Sequence, residues 1–228
     1  MRPTSFLTAQ AKVLVTGFGS FGPHTLNPSA VAASSLDGQI ISNALVVGRV
    51  FQTSTATVAQ DLIQALDEIK PVLLICLGLA PGRPALSLER IAANVCDFPI
   101  ADHDGAMLQD VPVIEGGPDG IFSGLPIRAI LSRWQEEGIP GHISDTAGTY
   151  LCNQLFYLAC DAGQKRGIPA GFIHNPDSLQ SAAVLAGSQP QPTMEQATIE
   201  QGIKFAIETC LNPEATDLLR PLVTGTLA

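Results

Sequence analysis

Apolar residues in this chain collect in short runs, with longer-period stretches between them. KVLVT (12 to 16), ALVVGRV (44 to 50), VLLICLG (72 to 78), GHIS (141 to 144) and AGFIH (170 to 174) read as strands. Val58, Leu62, Leu66 and Ile69 recur at helical spacing, as do Ile127, Ile130, Leu131 and Trp134, and each stripe is suited to covering a sheet. Apolar strands joined through helices predict an α/β fold with a mostly parallel central sheet covered by helices on both faces. In such a sheet, functional groups gather at the C-terminal ends of the strands. A last helix is expected from about Thr193 to Leu211, with Pro192 near its start and Ile199, Ile203, Ala206 and Ile207 on one face.

Two segments lack periodicity. Asp102 to Pro126, rich in Gly, Pro and Asp, is too long for a simple turn and reads as a hairpin or functional flap. Pro176 to Pro192, which contains QPQP, is expected to be mobile. Neither looks like a linker, so residues 1–228 are expected to form one domain.

Composition narrows the classes. The chain is 46% hydrophobic and 14% charged, which fits a large buried fraction and an oligomer interface. Its formal charge is -9 with no cluster of Lys and Arg, so nucleic acid is not an expected partner. The start lacks an apolar segment with a small-residue cleavage site, and no run is long enough for a bilayer, so no membrane partner and a cytoplasmic location are expected. The five cysteines form no CxxC pair and no zinc spacing, which points to reduced thiols and no metal.

The run GFGSFG, Gly17 to Gly22, matches G-x-G-x-x-G after a strand, as a dinucleotide-binding loop does. However, PHTLNP follows, so a helix becomes plausible only from about Asn27, and the strand at 44 to 50 ends without an acidic residue for a ribose. The alternative is a loop whose glycines let the backbone approach a small ligand while Phe18 and Phe21 supply flat apolar walls.

The stretch TAGTYLCNQLFYLAC places Cys152 just beyond a Thr-Ala-Gly-Thr turn, where an apolar helix begins. With Thr149 as N-cap, Cys152 takes the third helical position, where free N–H groups and the helix dipole favour a thiolate. Gly148 gives the turn freedom to bring backbone N–H groups toward an oxyanion. A packed thiol is the plainer reading, and it fits Cys76, Cys160 and Cys210. A nucleophilic cysteine needs a base, and His174 ends an apolar strand at the expected sheet edge; His24, His103 and His142 have weaker claims. Glu89, in an apolar setting, can orient the imidazole, or else it pairs with Arg90 or another cation.

GLAPGRPALSLERIAAN (Gly78 to Asn94) and IPGHISDTAGTYLCN (Ile139 to Asn153) resemble the two signature segments of the pyroglutamyl peptidase I family of cysteine peptidases. VLVTGFGSFGPHTLNPS and GFIH resemble two further family segments, so the similarity spans most of the chain. The resemblance implies a catalytic triad at Glu89, Cys152 and His174 and removal of an N-terminal pyroglutamyl residue from peptides. It also implies a cytoplasmic enzyme, often a homotetramer, without metal or organic cofactor. Phe18, Phe21, Asn27 and Leu79 are then the expected substrate-binding residues. Two departures stand out: Leu79 where family members usually carry glutamine, and Asp97-Phe98-Pro99 where they usually read Asp-Ala-Arg. Alternatives with the same residues are a weakly active or non-catalytic binder and a cysteine amidase for another small lactam or N-acyl group.

Overall fold

The structure, a computed structural model, describes residues 10–185, 191–212 and 214. The first half of the chain runs through β1 (Lys12–Phe18), α1 (Pro28–Leu36), β2 (Ile40–Ile41), β3 (Ala44–Phe51), α2 (Val58–Ile69), β4 (Leu73–Leu79), β5 (Leu86–Glu89) and β6 (Ile91–Ala93). The second half adds β7 (Gly120–Phe122), α3 (Ile127–Glu136), β8 (Gly141–Ser144), α4 (Leu151–Arg166), β9 (Ala170–Asn175), β10 (Asp177–Ser178), α5 (Leu179–Ala183), β11 (Thr193–Met194) and α6 (Gln196–Leu211).

Seven strands form the central sheet in the order β2-β3-β1-β4-β9-β5-β8. The strands β3, β1, β4 and β9 are mutually parallel, whereas β5 runs antiparallel to β9 and carries β8 parallel to itself. All five expected strands are present, and the sheet is mostly parallel as expected.

Side-chain alternation makes the sheet two-faced. Val13, Val15, Leu73, Ile75, Leu77, Leu86, Leu88 and Ile173 face a cluster built with α1, α3 and α6. Their neighbours Leu14, Leu74, Cys76, Ala170 and Phe172 face the opposite cluster, built with α2 and α4. On the first side, Trp134 is fully buried and its indole N–H donates to the Gly202 carbonyl at 2.7 Å, joining α3 to α6. The expected stripes of α2 and α3 are buried: Val58, Leu62, Leu66 and Ile69 on one, Ile130, Leu131 and Trp134 on the other.

Three local expectations change. The last helix begins at Gln196, because Thr193 and Met194 instead pair with Asp177 and Ser178. The segment from Pro176 holds β10 and α5, the latter with a capping box between Ser178 and Ser181, while residues 186–190 lie outside the described residues. LSLE, left unassigned by periodicity, is β5 within the central sheet.

The long loop is a flap. Cys96 and Val111 form an antiparallel bridge, and Phe98 N–H donates to Leu108 O at 2.8 Å, as does Asp102 N–H to Ala106 O at 3.0 Å. The flap's tip folds onto residues 53–55, where Thr55 N–H donates to Asp102 Oδ2 at 2.8 Å and His103 N–H to Thr53 O at 2.9 Å.

Candidate active site

Helices cross on opposite sides of β1: its next strand, β3, lies to one side, and β4 to the other. Such a reversal opens a crevice at the strand C-termini, and here Phe18 ends β1 and Leu79 ends β4. Beside it, β9 ends in His174-Asn175. Gly78, His174 and Ser87 are register partners across β4, β9 and β5, so they share the face covered by α4. Glu89, two residues along β5 on that same face, reaches diagonally across and accepts a hydrogen bond from His174 Nδ1 at 2.7 Å. Both side chains are buried, His174 at 4% and Glu89 at 0% exposure. Donation from Nδ1 to a carboxylate assigns the proton to that nitrogen and leaves Nε2 as the basic one.

Burial alone would raise the Glu89 carboxyl. The hydrogen bond and charge of His174, then the Ser144 hydroxyl and the charge of Arg83, outweigh it and hold Glu89 below the usual carboxylate range. Arg83 Nη1 donates to the same Oε1 at 2.7 Å, while Oε2 has no hydrogen-bond partner among the described residues.

Cys152 enters from the opposite layer, on the first turn of α4. Gly148 has φ +80°, and the turn that this left-handed residue closes leads into the helix. The N-cap is Tyr150, not Thr149, so Cys152 is the second helical residue rather than the third. Thr149 is otherwise engaged: its hydroxyl donates to Asp97 O at 2.7 Å and holds the helix start against the flap. Gly78 makes room for the sulfur, since a Cβ there would lie 2.8 Å from Cys152 Sγ and 2.8 Å from Phe172 Cζ. The thiol therefore rests over the β4 residue that is the register partner of His174.

The expected resting thiolate is not supported. Burial pushes the Cys152 thiol up to about 12; the Glu89 charge adds to the rise and the Arg83 charge opposes it. Burial therefore favours the neutral thiol at rest.

A cavity of about 370 Å3 opens on these groups, lined by Cys152, His174, Phe18, Phe21, Asn27 and Leu79, with Pro99 and Ile100 arriving from the flap. All seven site residues expected from the sequence come together, six on the cavity wall and Glu89 behind His174. Asn27 is the N-cap of α1: its Oδ1 accepts from Ser29 N–H at 3.0 Å, and Nδ2 donates to Gly19 O at 2.8 Å, leaving one amide N–H for a ligand. Gly17 allows that helix to sit close, because a Cβ would meet Ser29 O at 2.3 Å. GFGSFG is therefore a close-packing loop whose helix starts at Asn27, as the sequence indicates. The other histidines lie off this wall: His24 stacks on Phe21, His103 sits at the flap tip and His142 faces Ser87.

Two site residues escape a sequence reading. Gly78 is inconspicuous inside an apolar strand, although a glycine there signals close approach. Arg83 is the other cation open to Glu89 in the sequence, and it pairs with that carboxylate at 2.7 Å, whereas Arg90 pairs with Asp145 at 2.6 Å. Among the described residues there is no cluster of three His, Cys, Asp or Glu side chains able to hold a metal.

The geometry agrees with the comparisons to known proteins. A family model described as pyroglutamyl peptidase matches residues 11–213. A pyrrolidone-carboxylate peptidase of Pyrococcus furiosus is 42% identical over 203 residues, covering 88% of this chain and 98% of the relative. One from Bacillus cereus (strain G9842) is 41% identical over 204 residues, covering 89% and 94%. A crystal structure of the Pyrococcus furiosus pyrrolidone carboxyl peptidase superposes with a TM-score of 0.85 at 41% identity, over 88% of this chain and 98% of that one. With the fold, the matched length and the crevice residues in agreement, the chain belongs to the pyroglutamyl peptidase family of cysteine peptidases.

Proposed function

We propose that this chain hydrolyses the amide bond after an N-terminal pyroglutamyl residue, with Cys152 as nucleophile, His174 as general base and acid, and Glu89 as the group that orients the imidazole. The observation that carries it is the Glu89-His174 hydrogen bond of 2.7 Å beside a cavity that also exposes Cys152. Because the thiol is neutral at rest, the reaction begins with proton transfer from Sγ to His174 Nε2 as the sulfur attacks the pyroglutamyl carbonyl carbon. The Glu89 carboxylate stabilises the imidazolium that forms. Backbone N–H groups of the first turn of α4 receive the oxyanion; Gly148 N–H is not among them, since it donates to Thr146 Oγ1 at 3.1 Å. The imidazolium then protonates the leaving amine, and water delivered by the same base cleaves the thioester.

Selectivity follows from the wall. Phe18, Phe21, Leu79 and Ile100 offer an apolar slot, and the remaining Asn27 N–H meets a lactam carbonyl. A free, charged α-amine entering this slot loses its hydration without a counter-charge in return. Activity in the cytoplasm and assembly into a homo-oligomer belong to the same reading, supported by exposed apolar side chains such as Ile40 and Phe122, and light scattering of the purified chain measures the assembly. The deciding experiment compares a pyroglutamyl fluorogenic amide with a prolyl amide. Release from the first, abolished by Cys152→Ala and His174→Ala, is expected; release from the prolyl amide alone overturns the assignment of substrate.

A further inference from the structure

Resting on the hydrolase reading, we propose that Arg83 is a positioning residue of this site, one that clamps the orienting carboxylate to the turn carrying the nucleophile. It lies in the tight connection between β4 and β5, where Gly82 takes φ +83° and Arg83 N–H donates back to Ala80 O at 3.3 Å. From there its guanidinium reaches two segments: Nη1 donates to Glu89 Oε1 at 2.7 Å and Nη2 to the Thr146 carbonyl at 3.3 Å. Thr146 belongs to the turn that ends in Tyr150, the N-cap of Cys152's helix. One planar side chain therefore joins β5 to the start of α4 inside the cavity that Cys152 and His174 line.

The arrangement has a feature that a simple surface ion pair lacks. Arg83 and His174 donate to the same oxygen of a fully buried carboxylate, and the other oxygen has no partner among the described residues. Without Arg83, the buried Glu89 carboxylate would keep the His174 imidazole and the Ser144 hydroxyl but lose its fixed counter-charge, which costs free energy and favours its protonation. A protonated Glu89 no longer stabilises the imidazolium. The titratable groups in the field of Arg83 are Glu89 on β5, His142 on β8, Cys152 on α4 and His174 on β9.

The test is a pH-rate series on the full chain with the pyroglutamyl amide, comparing wild type, Arg83→Met and Arg83→Lys, each also in a His142→Gln background to remove the neighbouring imidazole. Arg83→Met is expected to lower kcat by roughly tenfold or more with KM changed less than about twofold, since Arg83 acts on the reacting groups rather than on lactam binding. The acid limb of kcat/KM should move to higher pH by roughly half a unit or more. Arg83→Lys should return the limb toward wild type by restoring the charge, but recover kcat only in part because an ammonium is not a planar fork. Added ethylguanidinium should rescue an Arg83→Ala enzyme. An unshifted limb in Arg83→Met, with loss of rate matching loss of folded protein, would mean that Arg83 only stabilises the fold and overturns the inference. Absence of turnover in wild type, or turnover surviving Cys152→Ala, sinks the hydrolase reading itself and is distinguishable from either result.

Discussion

At the scale of single residues, the site works by close approach. Gly78→Ala should remove activity disproportionately to stability: its Cβ, 2.8 Å from both Cys152 Sγ and the Phe172 ring, must displace the nucleophile or the ring beneath it. Turnover measured beside thermal unfolding checks this, and near-normal turnover would show that the sulfur has another resting place. A second expectation concerns the thiol. Cys76, Cys96 and Cys160 are buried, and Cys210, half-buried like Cys152, lies on α6 away from His174, so a limiting dose of iodoacetamide should label Cys152 first. Because burial holds that thiol up at about 12, its labelling at neutral pH depends on His174 accepting the proton. His174→Ala should therefore slow Cys152 alkylation by roughly tenfold or more, which peptide mapping reads directly. A preformed thiolate would make labelling indifferent to His174.

Among the elements, the flap over residues 96–111 brings Pro99 and Ile100 to the cavity, and one carboxylate organises its tip. Its tip is held by Asp102, whose carboxylate accepts from the N–H groups of Thr55, Asp104 and Ala106. Burial would raise this carboxyl, but those three bonds prevail and set it below its ordinary value. With the folded pKa depressed, the stabilisation is complete above the ordinary carboxylate pKa of about 4 and is lost as pH falls through the lower folded value. Asp102→Ala should accordingly cost about 1–2 kcal/mol at pH 7, discounted for the solvent near the flap, and the deficit should vanish at strongly acidic pH. It should also raise KM more than it lowers kcat, because Pro99 and Ile100 on the flap line the cavity. Urea melts at several pH values and steady-state kinetics provide the measurements.

Across the whole molecule, the two apolar clusters lie on opposite faces of the sheet, and Cys152, His174 and Glu89 lie on one of them. The single tryptophan, Trp134, reports on the α1, α3 and α6 side, whereas Cys152 belongs to the α2 and α4 side. We propose that both unfold as one unit, since β1, β4 and β9 contribute side chains to each cluster. Tryptophan fluorescence and Cys152 reactivity should then be lost with one midpoint in denaturant. Two separated midpoints would divide the chain into independent parts. Trp134→Ala, which opens a cavity and removes the bond to Gly202 O, should destabilise by about 3–5 kcal/mol and leave the KM of the surviving folded protein unchanged.

What the sequence determined by itself was whatever local periodicity and chemistry encode. Unbroken apolar runs specify β1, β4 and β9 because both faces of those strands are covered, and the 3.6-residue stripes specify α2 and α3. The types Cys, His and Glu, each in an unusual setting, marked Cys152, His174 and Glu89 before any contact was known. LSLE was too short to show a period, and its place between β9 and β8, antiparallel to one and parallel to the other, depends on partners far along the chain. Only the tertiary structure could choose Arg83 over the adjacent-in-sequence Arg90 as partner of Glu89, since strand alternation sends residues 89 and 90 to opposite faces. It likewise brought in the desolvation of Cys152: the helix start, visible in sequence, favours the anion, whereas burial, which pushes the thiol up, is a property of what packs around the sulfur.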